Sequence, residues 1–236
     1  MSGANFEKAQ LDEANLEGTN LMRANLKGAN LSDTNLTTVS LERAFLQKVT
    51  LTNANLMRAN LGYANLTHAI LNKANLESAN LMHTILVNAS LRKSILRNAT
   101  LVLTKLENAD LIKSDLEGAV LIMATLENTK LLDVNLKNAN LAGASLEGAN
   151  LTGATLENTK LLDTNLKNAN LTGAKLEGAN LKETNLEGAN LLGADLKKAK
   201  NLTDRQLAQA KLCYTKFPDN ITLDPDRDCY GLVLRI

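Results

Sequence analysis

The sequence predicts an all-β solenoid, a chain that turns a corner every five residues around a solid core. Three observations lead there. Every fifth residue from Phe6 through Leu196 is a repeat centre, leucine at all but the first, giving 39 repeats without a break in register. Two residues before each centre stands a small side chain, mostly Ala and otherwise Thr, Ser or Val, as at Thr19, Ser94 and Val39. Eleven of the 13 glycines fall at the phase two residues after a centre, ten of them behind a centre and Gly3 just ahead of the first.

A period of five fits neither a helix of 3.6 residues per turn nor a flat strand of period two. A helix would spread the leucines around its circumference, and a strand would send them to alternating faces. A corner every five residues resolves the conflict. Each short side then turns one leucine and one small residue inward and the rest outward. Glycine, with Asn and Asp at the same phase (Asn53, Asp133, Asp163), supplies the positive φ that the third position of a type II turn requires. Each buried leucine contributes on the order of 1.5–3 kcal/mol. Stability is expected to be nearest-neighbour in character, with ends that need caps.

The A-N-L-x-x pattern, as in Ala4-Asn5-Phe6 and Ala14-Asn15-Leu16, resembles the pentapeptide repeat family from residue 4 to about 200. The resemblance implies a right-handed quadrilateral β-helix with four repeats per 20-residue coil. At about 4.8 Å per coil the rod would be roughly 45–50 Å long. Its organisation is expected to be a repeat domain over 1–200 and a C-terminal cap over 201–236.

The cap begins where the repeat stops, at Asn201. Thr203-Asp204-Arg205-Gln206 reads as a capping box opening a short helix through about Leu212. Leu202, Leu207 and Leu212 can then cover the last coil. A dimer contact through this end is the alternative. Beyond it, the only two cysteines, Cys213 and Cys229, flank a Pro-containing loop. A disulfide between them is the favoured reading, closing a loop worth about 3 kcal/mol. Two free thiols are the alternative. The spacing matches no zinc pattern and no histidine lies nearby. This segment also resembles the tails of cyanobacterial and chloroplast-lumen members of the family. No secretory leader precedes the repeat, which points to the cytoplasm. A thylakoid lumen or periplasm follows if the cysteines pair and a leader was removed. The N-terminus lacks a matching cap, so either something precedes it or that end stacks on a partner.

Composition narrows function. The 26 basic and 25 acidic residues leave a net charge of +1, which argues against nucleic acid, and no apolar run is long enough for a membrane span. The two histidines, His68 and His83, both fall at outward positions, and no Ser-His-Asp or Cys-His grouping can be drawn. No phosphate-binding glycine motif is present, and a core filled by leucine leaves no room for a ligand. Neither an active site nor a cofactor or metal is expected.

What remains is the outside. Residues 20 apart stack on one face, and one such face carries Tyr63, Met82, His83, Val102, Leu103, Val120, Ile122 and Met123. Ile85, Val87 and Ile112 adjoin it. A contiguous apolar strip of this kind is expected to bind a protein partner or a second copy of the chain. The leading reading is a non-catalytic protein-interaction scaffold with no small-molecule substrate. The alternative, a DNA mimic protecting a type II topoisomerase such as gyrase, resembles the quinolone-resistance branch of the family. That branch relies on an acidic rod and projecting loops, and neither is present here. Residues 126–150 nearly recur at 156–180, an offset of 30, so the copies land on opposite faces.

Overall fold

A computed structural model describes residues 1–229. The chain returns on itself every 20 residues in parallel register, from Asn5 opposite Asn25 through Asn180 opposite Lys200. Each contact is a single-residue bridge, and among the described residues no continuous strand forms. The chain is thus largely non-helical, as expected of a β architecture, but its pairing is by isolated bridges and no sheet forms among the described residues. The cause is geometric: each five-residue side gives two residues to its corner, leaving too little straight chain for a longer ladder.

The corner repeats along the whole chain, with the bond from Thr34 N–H to Leu31 O alone missing between Ala4 and Ala199. The centre carbonyl accepts from the N–H three residues on, as Phe6 does from Ala9 at 3.0 Å and Leu101 from Thr104 at 3.2 Å. The residue two after each centre lies in the left-handed region from Gly3 through Lys198, with φ between 53° at Asp133 and 70° at Gly178. Twenty-nine of these corner residues are not glycine, among them Thr38, Tyr63, Leu103 and Met123.

Backbone groups pair between circuits. Leu101 N–H donates to Val120 O at 2.7 Å, Leu103 N–H to Ile122 O at 3.0 Å, and Thr100 N–H to Ala79 O at 3.0 Å. One donor per repeat, on the residue after the centre, has no backbone partner. The side chain just before the centre takes it: Asn80 Oδ1 accepts from Met82 N–H at 3.1 Å, and Asp110 Oδ1 from Ile112 N–H at 3.2 Å. This is the reason for asparagine at that position.

Every centre from Leu21 to Leu196 is buried, while Phe6, Leu11 and Leu16 of the first circuit are covered on one side only. Where Thr replaces Ala inside, its hydroxyl uses the spare lone pair of a centre carbonyl, one circuit back at most positions and in its own circuit at Thr129. Thr84 Oγ1 donates to Leu61 O at 2.8 Å and Thr104 Oγ1 to Leu81 O at 2.7 Å. The interior is therefore both apolar and satisfied.

The C-terminal end departs from expectation. The helix is one turn, Asp204–Leu207, and does not reach Leu212. Leu202, Leu207, Leu212 and Phe217 continue the five-residue period after a one-residue insertion. Lys211 pairs with Asn190 and Lys216 with Asp195, an offset of 21. The segment Ala210-Lys-Leu-Cys-Tyr-Thr-Lys-Phe217 is two further repeats, with Tyr214 at φ 51° on the corner and Thr215 Oγ1 donating to Leu191 O at 3.0 Å. Helical bonding stops early because the buried Leu212 is needed as a repeat centre. Residues 230–236 of the expected cap lie outside the described residues.

Candidate interaction surface

The expected strip lies on one corner of the rod and the side next to it. Tyr63, His83, Leu103 and Met123 occupy successive left-handed corner positions, with φ of 60°, 57°, 56° and 55°. That region costs an ordinary side chain roughly 1–2 kcal/mol, and Gly143 and Asp163 follow in the same column. Tyr63, Met82, Leu103 and Met123 are exposed, Met123 the most at 58%. His83, Val102, Val120 and Ile122 are half-buried between circuits. The strip is therefore a ridge of four outward side chains on an apolar shoulder.

Its upper part is a stack. The Tyr63 and His83 rings lie 4.6 Å apart at 11°, and the Arg43 guanidinium stands 5.5 Å from the Tyr63 centroid on the other side. The spacing matches the circuit rise of about 4.8 Å, so the fold itself places the rings in stacking range. Gly62, beside Tyr63, is buried, and a Cβ there would stand 3.2 Å from Asn60 Oδ1.

Sequence reasoning missed Phe45, which is 46% exposed with Lys27 Nζ 5.4 Å from its ring centroid. The signal was present, since an aromatic ring stands where asparagine is the rule. Ile85 and Val87 are half-buried on the side that follows the ridge. Ile112 is half-buried near the opposite corner and does not extend the strip. His68 is exposed, one side away from His83.

The cap residues come together as a lid. Thr203 and Gln206 form a reciprocal capping box, Thr203 N–H donating to Gln206 Oε1 at 3.0 Å. Gln206 Nε2 donates to Leu181 O at 2.7 Å and to Thr184 O at 3.1 Å, closing carbonyls of the circuit below. Leu207 and Leu212 are fully buried. The strap after Phe217 covers the next edge. Asp228 Oδ2 accepts from Leu212 N–H at 2.9 Å, and Arg227 donates to the carbonyls of Leu207 and Ala210. The Leu212 amide, then the Arg227 guanidinium, hold the Asp228 carboxyl below its ordinary pKa. Cys213 and Cys229 are disulfide-bonded, with Cα atoms 5.0 Å apart. Asp226 Oδ1 lies 3.6 Å from Cys229 Sγ, but both sulfurs are used by the bond, so the trio is no ready metal site.

Eight copies of the pattern described as Pentapeptide repeats match residues 1–37, 39–72, 59–98, 99–131, 130–168 and 164–200. This chain belongs to the pentapeptide repeat family. It is similar to HetL from the cyanobacterium Nostoc sp. strain PCC 7120, a pentapeptide repeat protein involved in heterocyst differentiation regulation. Identity is 34% over 80% of this chain and 90% of that one, with a TM-score of 0.32. A pentapeptide repeat protein of the Arabidopsis thaliana thylakoid lumen is 30% identical over 46% of this chain and 68% of its own length, TM-score 0.27. QnrB1, a plasmid-mediated fluoroquinolone resistance protein, is 17% identical over 87% of this chain and 90% of its own, TM-score 0.44. No curated protein matches the chain. Among the described residues no helix is long and apolar enough to cross a membrane.

Proposed function

We propose that this chain is a non-catalytic scaffold whose ridge from Tyr63 to Met123 docks a protein partner. One observation carries the reading. Four large side chains occupy consecutive corner positions where the backbone favours Gly, Asn or Asp, and all four are apolar or aromatic. Polar side chains fill almost every other non-glycine corner, so a solvent-facing column of this character gains nothing in the core and is the pattern of a surface kept for binding. Family membership supports the accompanying reading of the rod as a right-handed, four-sided β-helix over 1–200. The Cys213–Cys229 bond favours an oxidising compartment.

The test follows from the backbone. Leu103→Asn with Met123→Gly removes half the ridge and relieves two left-handed strains, so the variant is expected to fold at least as stably as the native chain. It is expected to lose the partner, or the self-association, that the native protein shows in matched affinity capture and light-scattering experiments. Undiminished association in a folded variant refutes the reading. A gyrase-protecting DNA mimic is the alternative. Balanced charge speaks against it, and likeness to QnrB1 at 17% identity adds nothing for it. A supercoiling assay with and without the protein separates the two.

A further inference from the structure

On the corner diagonally across from the apolar ridge, the left-handed position reads Glu13, Asp33, Asn53, Lys73, Lys93, Lys113, Asp133, Gly153, Gly173, Gly193. Three successive circuits thus present a lysine at one corner, at φ 59°, 56° and 58°. No other outward column of the repeat carries three cations in succession. All three lysines are exposed, and among the described residues none has an ion-pair partner. Two carboxylates on the flanking sides are engaged by arginines, Asp110 by Arg92 at 2.7 Å and Asp115 by Arg97 at 2.5 Å, and Asp133 follows Lys113 in the column.

This arrangement opposes stability twice. Lysine is unsuited to the left-handed region, and circuits about 4.8 Å apart hold three like charges in a row. The same column uses Asn, Asp and Gly above and below, so the fold does not require lysine there. On either side of the ladder, Ile70 and Ile95 are exposed at positions where asparagine is the rule, and Ile112 is half-buried between them.

We propose that Lys73, Lys93 and Lys113 form a second interaction surface that takes an extended, acidic polypeptide segment carrying apolar residues between its carboxylates. The ladder spans about 10 Å, the reach of three to four extended residues. Carboxylates on such a segment meet the lysines while its intervening side chains rest on Ile70 and Ile95. Nucleic acid fits less well. Its binding draws on many phosphate contacts, and single strands also need aromatic rings for stacking. Here the cations are three, bounded in the column by Asn53 and Asp133, and isoleucines stand on either side.

The probe is a short fluorescein-labelled peptide of alternating Glu and Val, followed by anisotropy at low ionic strength. The native protein is expected to bind it, and Lys73→Asn/Lys93→Asn/Lys113→Asn to bind about tenfold or more weakly. The triple variant is expected to melt no lower than the native chain, because asparagine suits the corner. Leu103→Asn/Met123→Gly is expected to bind the peptide as the native protein does, which separates this surface from the apolar ridge. The proposal is overturned if the native protein does not bind the peptide, if the triple variant binds it equally, or if an oligothymidylate binds more tightly.

Discussion

At the residue scale, the asparagine before each leucine shows how one side chain completes a corner. Asn150 Oδ1 accepts from Thr152 N–H at 3.1 Å and from Thr152 Oγ1 at 2.6 Å. Without it, that N–H has no acceptor in the backbone ladder. Asn150→Ala is expected to lower stability by about 1 kcal/mol in thermal denaturation. Asn150→Asp is expected to be nearly neutral, because Asp110, Asp115 and Asp195 do the same work in their own repeats. The leucine and glycine columns were legible from spacing, since burial and positive φ leave direct marks on composition. The role of asparagine was not, because its recipient becomes an orphan donor only once the corner is folded. The apolar ridge was legible as a column of residues 20 apart. Its division into exposed Leu103 and Met123 and half-buried Val102 and Ile122 was not, because adjacent corner positions differ in depth rather than in pattern.

At the element scale, the C-terminal lid combines a helical turn, two resumed repeats and a strap held by a disulfide. Its period was present in Leu202, Leu207, Leu212 and Phe217, but the capping box drew attention to a helix that in fact spans one turn. A one-residue insertion hid the resumption, because it moved the register from 20 to 21. The disulfide closes a separation of 16 residues, and Cys213→Ser with Cys229→Ser is expected to cost about 3 kcal/mol. Hydrogen exchange should quicken at Lys211–Lys216 and stay unchanged near Leu101, since solenoid contacts reach only to neighbouring circuits. The same strap has a pH limit. The folded pKa of Asp228 lies below its unfolded value, mainly because Leu212 N–H donates to it. Its contribution is therefore present above about pH 4, the ordinary Asp value, and is lost as pH falls below that toward the folded pKa. In the native chain, amides around Leu212 are expected to lose protection on acidification below about pH 4. In Asp228→Asn that protection is expected to be low at neutral pH already and to change less with acid.

At the scale of the whole molecule, inside and outside obey different periods. The core needs register in fives, whereas a surface column needs register in twenties. The near-copy at 126–150 and 156–180 separates the two, because its offset of 30 is a multiple of five but not of twenty. Thr129 and Thr159 are both fully buried and each hydroxyl donates to a centre carbonyl, Thr129 to Leu126 O at 2.6 Å and Thr159 to Leu136 O at 2.9 Å, so both copies place the same residue in the core. On the outside they occupy opposite corners, and Asn128 under Gly148 is echoed across the rod by Asn158 under Gly178. It follows that the rod can be shortened by whole circuits. Excision of residues 141–160 is expected to leave a folded chain that retains both the apolar and the lysine corners and melts within about a few degrees of the native one. Excision of 141–158 has almost the same length and composition, but the circuits after the cut then meet those before it two residues out of register, a larger step than the single residue that the C-terminal end absorbs. That chain is expected to lose protection from Leu161 onward in hydrogen exchange while Leu21–Leu101 stay protected. Equal stability of the two excisions would show that stacking register does not govern the fold.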